Sequence, residues 1–326
     1  MIYLLPNITI LVFSILIIKN VKKIPYNIVI YDYPDNIRKI HTFPVPLLGG
    51  YIFFLSLVVN LIFFYKDLNF NLSLLISLLF LSSFFLILGL IDDRSSLTPS
   101  KKTIMIFIIL FLIIPFNEKL IVNSLIFKDF NYVINLNQAN IFFTIFCIYF
   151  FFNIINFSDG ANGITTSLGI FWLIVFIIFG SLNDYFLIFL LLSLVLILIF
   201  NLQDKIFLGN SGSSLISIVF AALFIINYNI DYSIKCDEIF LLMFLPAIDT
   251  IRITINRVIK KKSPFDPDKN HFHHLLMRRF NKDTVFMPYS FLSVLPFLSS
   301  IFINTLIVFI CSIVIYFVLY IFLIND

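Results

Sequence analysis

Two adjacent carboxylates, Asp92 and Asp93, sit in the stretch GLIDDRSSLTPSKK (89–102). A third, Asp159, lies in NIINFSDGANG (153–163) beside Asn156, Asn162, Gly160 and Gly163. Neighbouring like charges repel, and a divalent cation relieves that repulsion. A hard ion such as Mg²⁺ takes one or two carboxylates and fills its shell with phosphate oxygens and water. Asp-Gly and Asn-Gly are strong turn formers, so the second stretch ends a helix and turns. Such a turn aims a carboxylate into a shared cavity and exposes backbone N–H groups to an anion. FLGNSGSS (207–214) reads as a helix start that Asn210, Ser211 or Ser213 can cap, with small residues that let a phosphate approach its positive end. HFHH holds His271, His273 and His274, three of the four histidines, among Lys260, Lys261, Lys262, Lys269, Arg278 and Arg279. No cysteine lies nearby, and the spacing does not let a helix aim all three rings at one zinc ion. Imidazole and guanidinium groups together suit phosphate. A fifth cluster, DYPDNIRKIHTFPVPLLGG (32–50), carries Arg38, Lys39 and His41. Carboxylates, a glycine-serine helix start and a basic histidine loop equip a chain for a divalent cation and a pyrophosphate-containing substrate.

The elements that must position these groups are apolar helices. The chain has 326 residues, 60% hydrophobic and 12% charged, with a mean hydropathy of +1.04. A soluble domain carries roughly 25% charged residues. Apolar runs near the ~20 residues that a bilayer demands recur throughout, and stretches such as LLISLLFLSSFFLILGL lack the alternation of a membrane barrel. The expected fold is an all-α polytopic membrane protein, a single integral-membrane domain over 1–326. Eleven spans are expected, near 2–18, 47–65, 72–91, 103–116, 140–156, 164–180, 185–200, 211–228, 238–254, 288–302 and 304–323. The N-terminal stretch lacks a basic leader region and reads as a first membrane helix. Numbering the loops alternately puts 18 of the 22 basic residues on one side. Basic loops stay cytoplasmic, so the N-terminus is expected outside and all five polar clusters inside. The net charge of +4 then reflects topology and attraction to anionic headgroups, not nucleic acid. Cys147, Cys236 and Cys311 are scattered and read as packing residues.

In order and context, RKIHTFPVPLLGG, GLIDDRSSLTPSKK, NIINFSDGANG, FLGNSGSS and SPFDPDKNHFHH resemble the motifs of the polyprenyl-phosphate N-acetylhexosamine-1-phosphate transferases, the WecA/MraY/TagO superfamily. The resemblance covers roughly 30–280. It implies that a polyprenyl phosphate, undecaprenyl phosphate in bacteria, attacks the sugar-linked phosphate of a UDP-N-acetylhexosamine, most simply UDP-GlcNAc, and that UMP leaves. It implies Mg²⁺ or Mn²⁺, a bacterial plasma-membrane location with a cytoplasmic active site, and a homodimer. By motif, Asp92, Asp93 and Asp159 are catalytic, with Asp92 the first choice for orienting or deprotonating the lipid phosphate. Asp92, Asp93 and Asn210 are metal ligands. Asn156, Asn162, Lys101 (or its neighbour Lys102), His271, His273 and His274 bind substrate. Arg38, Lys39 and His41 match the first motif without an assigned role. NHFHHLL resembles the WecA/TagO/WbpL branch more than MraY, which favours a simple UDP-N-acetylhexosamine and a product that primes O-antigen, capsule or teichoic-acid-like glycans. The chain departs from the pattern at Asn162 and at Asn210, where the family carries Asp. An amide oxygen still binds Mg²⁺ but brings no charge.

Two other readings compete. A transporter or flippase places ionisable groups near the bilayer midplane; only Asp249 and Arg252, near a span end, fit that. A catalytically impaired homologue acting as a scaffold is the reading that Asn210 and Asn162 motivate.

Overall fold

The computed structural model describes residues 4–21, 29–34, 43–130, 132–264 and 270–324. Arg38, Lys39, His41 and Lys269 lie outside the described residues.

The chain runs through α1 (Leu4–Asn20), β1 (Tyr31–Asp32), β2 (Val45–Pro46), α2 (Gly49–Phe64), α3 (Leu72–Ser95) and α4 (Pro99–Ile113), then β3 (Ser124–Ile126) and β4 (Val133–Asn135). It continues through α5 (Asn140–Ser158), α6 (Ile164–Phe179), α7 (Asp184–Asn201), α8 (Gly209–Asp231), α9 (Cys236–Leu242), α10 (Phe244–Ile259), the short α11 (Phe272–Leu276), α12 (Phe286–Ser300) and α13 (Thr305–Ile324). The expected all-α class is met but for two small antiparallel pairs, β1 with β2 and β3 with β4. Among the described residues, six helices are long and apolar enough to cross a membrane, and four shorter apolar ones accompany them. The protein is a multi-pass membrane protein.

Local chemistry sets the ends. Asn71 and Asn183 cap α3 and α7 by accepting the N–H of Leu74 (2.8 Å) and Phe186 (3.1 Å). Pro99 opens α4, where its missing N–H has no partner to lose. The ninth expected span, 238–254, is in two pieces that meet at Met243. Pro246 explains the break, because in a continuous helix its absent N–H would have bonded the Leu242 carbonyl. The indole Nε1–H of Trp172 donates to that carbonyl instead, at 3.2 Å.

The bundle is built around α8. Its 18-residue apolar window is 89% buried, against 17% for α13 on the periphery. Lipid is as apolar as leucine, so membrane helices associate through close packing at small residues. Here α3 meets α8 where a Cβ on Gly89 would stand 2.3 Å from Ser211 Cα. Likewise α2 meets α8 where a Cβ on Gly50 would stand 2.8 Å from the Gly212 nitrogen.

The two ends of the bundle differ. At one, Lys119 Nζ donates to the Asn69 carbonyl (2.7 Å), Lys128 Nζ to the Ser300 carbonyl (2.8 Å) and Thr305 Oγ1 to Asp237 (2.7 Å). Tyr228 there takes the Ile126 N–H and donates to the Ser124 carbonyl, which holds the β3–β4 hairpin. The other end gathers the polar clusters.

Candidate active site

Asp92 and Asp93 are one step apart on α3, so they point about 100° apart. They serve different neighbours. Asp92 faces the start of α4, where it accepts the Leu97 N–H at 2.7 Å and Lys102 Nζ at 2.9 Å. Both side chains of that pair are largely covered, at 13% exposure each. Lys101 is exposed, so Lys102 is the lysine that the structure puts on the carboxylates. Asp93 faces α8 and accepts the N–H groups of Asn210 (2.8 Å) and Ser211 (3.0 Å). These are among the orphan donors of the helix start. Sequence reasoning gave that cap to Asn210, Ser211 or Ser213; a carboxylate from another helix supplies it. The two amides offered to a phosphate are thereby taken. Gly209, at φ +72°, lets the chain enter α8 against this carboxylate, since a Cβ there would lie 2.9 Å from Asp93 Oδ2.

Asp159 ends α5 and accepts from Thr165 Oγ1 at 2.9 Å. Burial pushes its pKa up to about 6, against the pull of the Thr165 and Ser213 hydroxyls, and the charge of Asp93 pushes the same way. That mutual influence places Asp93 and Asp159 within electrostatic reach of each other. Asn156, one turn earlier on α5, buries an Nδ2 that has no partner, as do the hydroxyls of Ser211 and Ser214 on α8. The Asn210 side chain makes no hydrogen bond among the described residues.

The turn after Asp159 is fixed from α7. The Gly163 N–H donates to Asn201 Oδ1 at 2.7 Å, with Gly163 at φ +82°. Asn162 Nδ2 donates to Asp204 at 2.8 Å, and Lys282 Nζ holds the other oxygen of Asp204 at 2.5 Å. Asn162 is therefore committed to a loop clamp, with its amide nitrogen directed to Asp204.

The histidines come together on α11. Ring centroids lie 5.4 Å apart for His271 and His273, which are parallel to 11°, and 4.3 Å apart for His273 and His274. His273 is buried, and both its ring nitrogens lack partners. It presses on Gly160 so closely that a Cβ there would stand 2.1 Å from Nε2. Burial holds its pKa well below the usual imidazole range, helped by His274 and His271, so the ring is neutral. His271 Nδ1 lies 3.1 Å from Asp249 Oδ2 on α10.

Sequence reasoning missed Thr165, Asn201, Asp204 and Lys282, and gave Asp249 no place in a site. None carries a motif signal of its own; each is found through its contact to a motif residue.

A chain of these contacts brings the clusters at 89–102, 153–163, 207–214 and 271–274 to one end of the bundle: Asp93 on Ser211, Asp159 by the Ser213 hydroxyl, His273 on Gly160. The donor types there are those a hard cation takes. Asp93 raises the cost of ionising Asp159, and the free amide of Asn210 offers a neutral oxygen. Asp92, turned toward Lys102, stands apart from that set. Among the described residues no group of three or more His, Cys, Asp or Glu side chains converges as a metal cage. Toward the opposite end of the bundle, an apolar cavity of about 490 Å³ lies between α5, α8, α9 and α13, lined by Cys147, Phe151, Phe224, Tyr228, Phe240 and Thr305 among others.

Residues 75–228, which hold the carboxylate, turn and helix-start clusters, match the profile of glycosyl transferase family 4. Over those residues, a little under half of the chain, the protein is similar to that family. It is 28% identical over 258 residues to the undecaprenyl-phosphate alpha-N-acetylglucosaminyl 1-phosphate transferase of Thermotoga maritima, covering 77% of this chain and 74% of that one. The protein of the same name from Escherichia coli K12 is 25% identical over 284 residues, covering 83% and 75%. A probable undecaprenyl-phosphate N-acetylglucosaminyl 1-phosphate transferase of Bacillus subtilis is 26% identical over 268 residues, covering 79% and 72%. The chain is a transferase, in keeping with this match and with relatives that are named for sugar-phosphate transfer.

Proposed function

We propose that this protein transfers N-acetylglucosamine 1-phosphate from UDP-GlcNAc to undecaprenyl phosphate. A lipid phosphate oxygen forms the new bond to the sugar-linked phosphorus, the bond to UMP breaks, and a polyprenyl-pyrophosphoryl sugar remains. The observation that supports this reading is the pairing, at one end of the bundle, of two carboxylates with buried donors that lack partners. Asp93 and Asp159 need a cation; Asn156 Nδ2 and the His273 ring nitrogens need a ligand. A divalent cation and a diphosphate satisfy both demands at once, since an unmade buried hydrogen bond costs about 1–3 kcal/mol.

Each residue then has a task. Asp93 and Asp159, with the Asn210 amide oxygen, would hold Mg²⁺ or Mn²⁺, which when bound would supply positive charge to the transferring phosphates. Lys102 fixes the orientation of Asp92, which faces the lipid phosphate and takes its proton where it carries one. Asn156 and Asp159 border the nucleotide. His271, His273 and His274 line the diphosphate, and the contact of His273 with Gly160 places that ring over the turn that carries Asp159. The apolar cavity offers the polyprenyl chain a path beside α5. The named relatives support the substrates. The uneven loop charge supports a cytoplasmic site in a bacterial plasma membrane, and the product suits priming of a surface glycan.

The test is transfer in detergent-solubilised membranes, with undecaprenyl phosphate, MgCl₂ and labelled UDP-GlcNAc. Label in the organic phase with matching UMP, both lost on adding EDTA, is the expected result. Asp92→Asn, Asp93→Asn and Asp159→Asn each abolish turnover while the protein stays in the membrane; normal turnover in one removes that residue from the account. Failure with UDP-GlcNAc, UDP-GalNAc and modified UDP-N-acetyl sugars alike, with none of them bound by folded protein, overturns the reading.

A further inference from the structure

Asp249 opens the polar stretch 249–280 but lies ahead of the SPFDPDKNHFHH motif, and its carboxylate is buried and fully engaged. Oδ2 accepts the Phe272 N–H at 3.1 Å and faces His271 Nδ1 at 3.1 Å. Oδ1 accepts the Tyr316 hydroxyl at 2.8 Å and an Arg252 N–H at 2.7 Å. A carboxylate with three certain donors is there as an acceptor, so the fourth contact needs a proton on Nδ1 of His271. The far side of Asp249 is itself braced. Arg252 Nε donates to the Tyr316 oxygen at 2.6 Å, a terminal nitrogen donates to the Asn270 carbonyl at 2.6 Å, and the guanidinium lies 4.2 Å over the Tyr320 ring. Helices α10 and α13 thus grip one carboxylate, and that carboxylate grips the start of α11.

The consequence falls on the other ring nitrogen. His271 Nε2 makes no hydrogen bond among the described residues, and it is not sealed as the nitrogens of His273 are. With Nδ1 committed to Asp249, Nε2 is the atom left for a ligand.

Resting on the reading of the site as one for a diphosphate, we infer that Asp249 is a positioning residue for the transfer reaction. It holds the proton on Nδ1 of His271, turns Nε2 toward the diphosphate, and supplies the counter-charge when that ring donates to a phosphate oxygen. Tyr316 and Arg252 hold Asp249 for this task. Carboxylates that orient a histidine in this way commonly matter by roughly 10–100-fold.

Asp249→Asn is the informative change. Its amide oxygen stays with Tyr316 and Arg252, both donors, so the NH₂ group turns to His271 and forces the proton from Nδ1 to Nε2. Nitrogen NMR of ¹⁵N-histidine-labelled protein in detergent reads this without any turnover, with His271→Gln assigning the signal. One histidine is expected to change from an Nδ1-protonated to an Nε2-protonated pattern. An unchanged His271 signal overturns the inference even if transfer itself proves absent. Transfer kinetics supply the second arm. In the otherwise native protein Asp249→Asn is expected to lower kcat/KM by about 10–100-fold. In a His271→Ala background it is expected to cost less than about threefold, because residues that act through one another are not additive. Equal losses in both backgrounds mean that Asp249 only braces the fold, and the inference fails.

Discussion

In the proposed reaction Asp159 combines two demands, a charge to hold a cation and a location that resists charge. Its pKa of about 6 belongs to the protein without a bound ion. At pH 5 the protonated form then dominates by about ten to one, and at pH 7.5 the carboxylate does. A cation binds the ionised form, so lowering the pH through 6 must weaken it. Mg²⁺ affinity of the solubilised protein, measured by calorimetry, is expected to fall about tenfold from pH 7.5 to pH 5. In Asp159→Asn it is expected to be weak at both. An affinity that is flat with pH in the native protein takes Asp159 out of the ion's shell. Gly160 states the steric side of the same site. A methyl group there drives His273 off its stack with His271, because the added carbon would lie 2.1 Å from Nε2. Gly160→Ala is expected to cost on the order of 10²-fold in transfer, the scale of a 1 Å misplacement, with the melting temperature nearly unchanged. Full activity in that variant shows that the ring position does not matter.

Between elements, the decisive contact is the crossing of α3 with α8. The Gly89 contact lets the helices close until Asp93 reaches the amides of Asn210 and Ser211. The obstacle to any side chain at Gly89 is backbone, Ser211 Cα at 2.3 Å and the Asn210 carbonyl at 2.4 Å, so nothing can swing aside. Gly89→Ala is expected to destabilise the protein by about 1–3 kcal/mol and to lose the Asp93 contacts. A fall in melting temperature in detergent together with lost transfer checks both, and a native melting curve refutes the crossing argument. This contact also shows what the sequence could tell. Apolar runs marked where helices lie, because each is a local property of ten to twenty residues. The cap on α8 comes from 117 residues away and leaves no local trace. The break between α9 and α10 is an intermediate case. Pro246 is legible as a missing donor, but the Trp172 indole that answers for it lies 70 residues from Leu242. Asp249 was legible only as a charge near a span end, since its meaning lies in donors from α10, α11 and α13. Asn162 was legible as a turn residue and a motif departure, and its clamp to Asp204 and Lys282 came only with the fold.

For the molecule as a whole, the polar clusters share one end of the bundle, and that alone does not say which way the end faces. The basic residues favour one answer. Eighteen of 22 fall in loops on one side when the helices alternate as the sequence reading expects, and Lys102, Arg252, Arg257 and Lys282 stand beside the site itself. Translocating such loops across a membrane is disfavoured, and on that ground we propose that the site end is cytoplasmic. Ser263 is suited to test this, because it is exposed and follows α10 on the same side as the histidine helix. The native Cys147, Cys236 and Cys311 are free thiols and are first replaced by serine or alanine. In that background Ser263→Cys is expected to react with an impermeant thiol reagent in inverted vesicles and not in right-side-out cells. A nucleotide sugar is made in the cytoplasm and does not cross a bilayer unaided. Labelling from outside would therefore turn the carboxylates, the histidines and the phosphate chemistry together toward a compartment without their substrate, and the proposed reaction would fail with the topology.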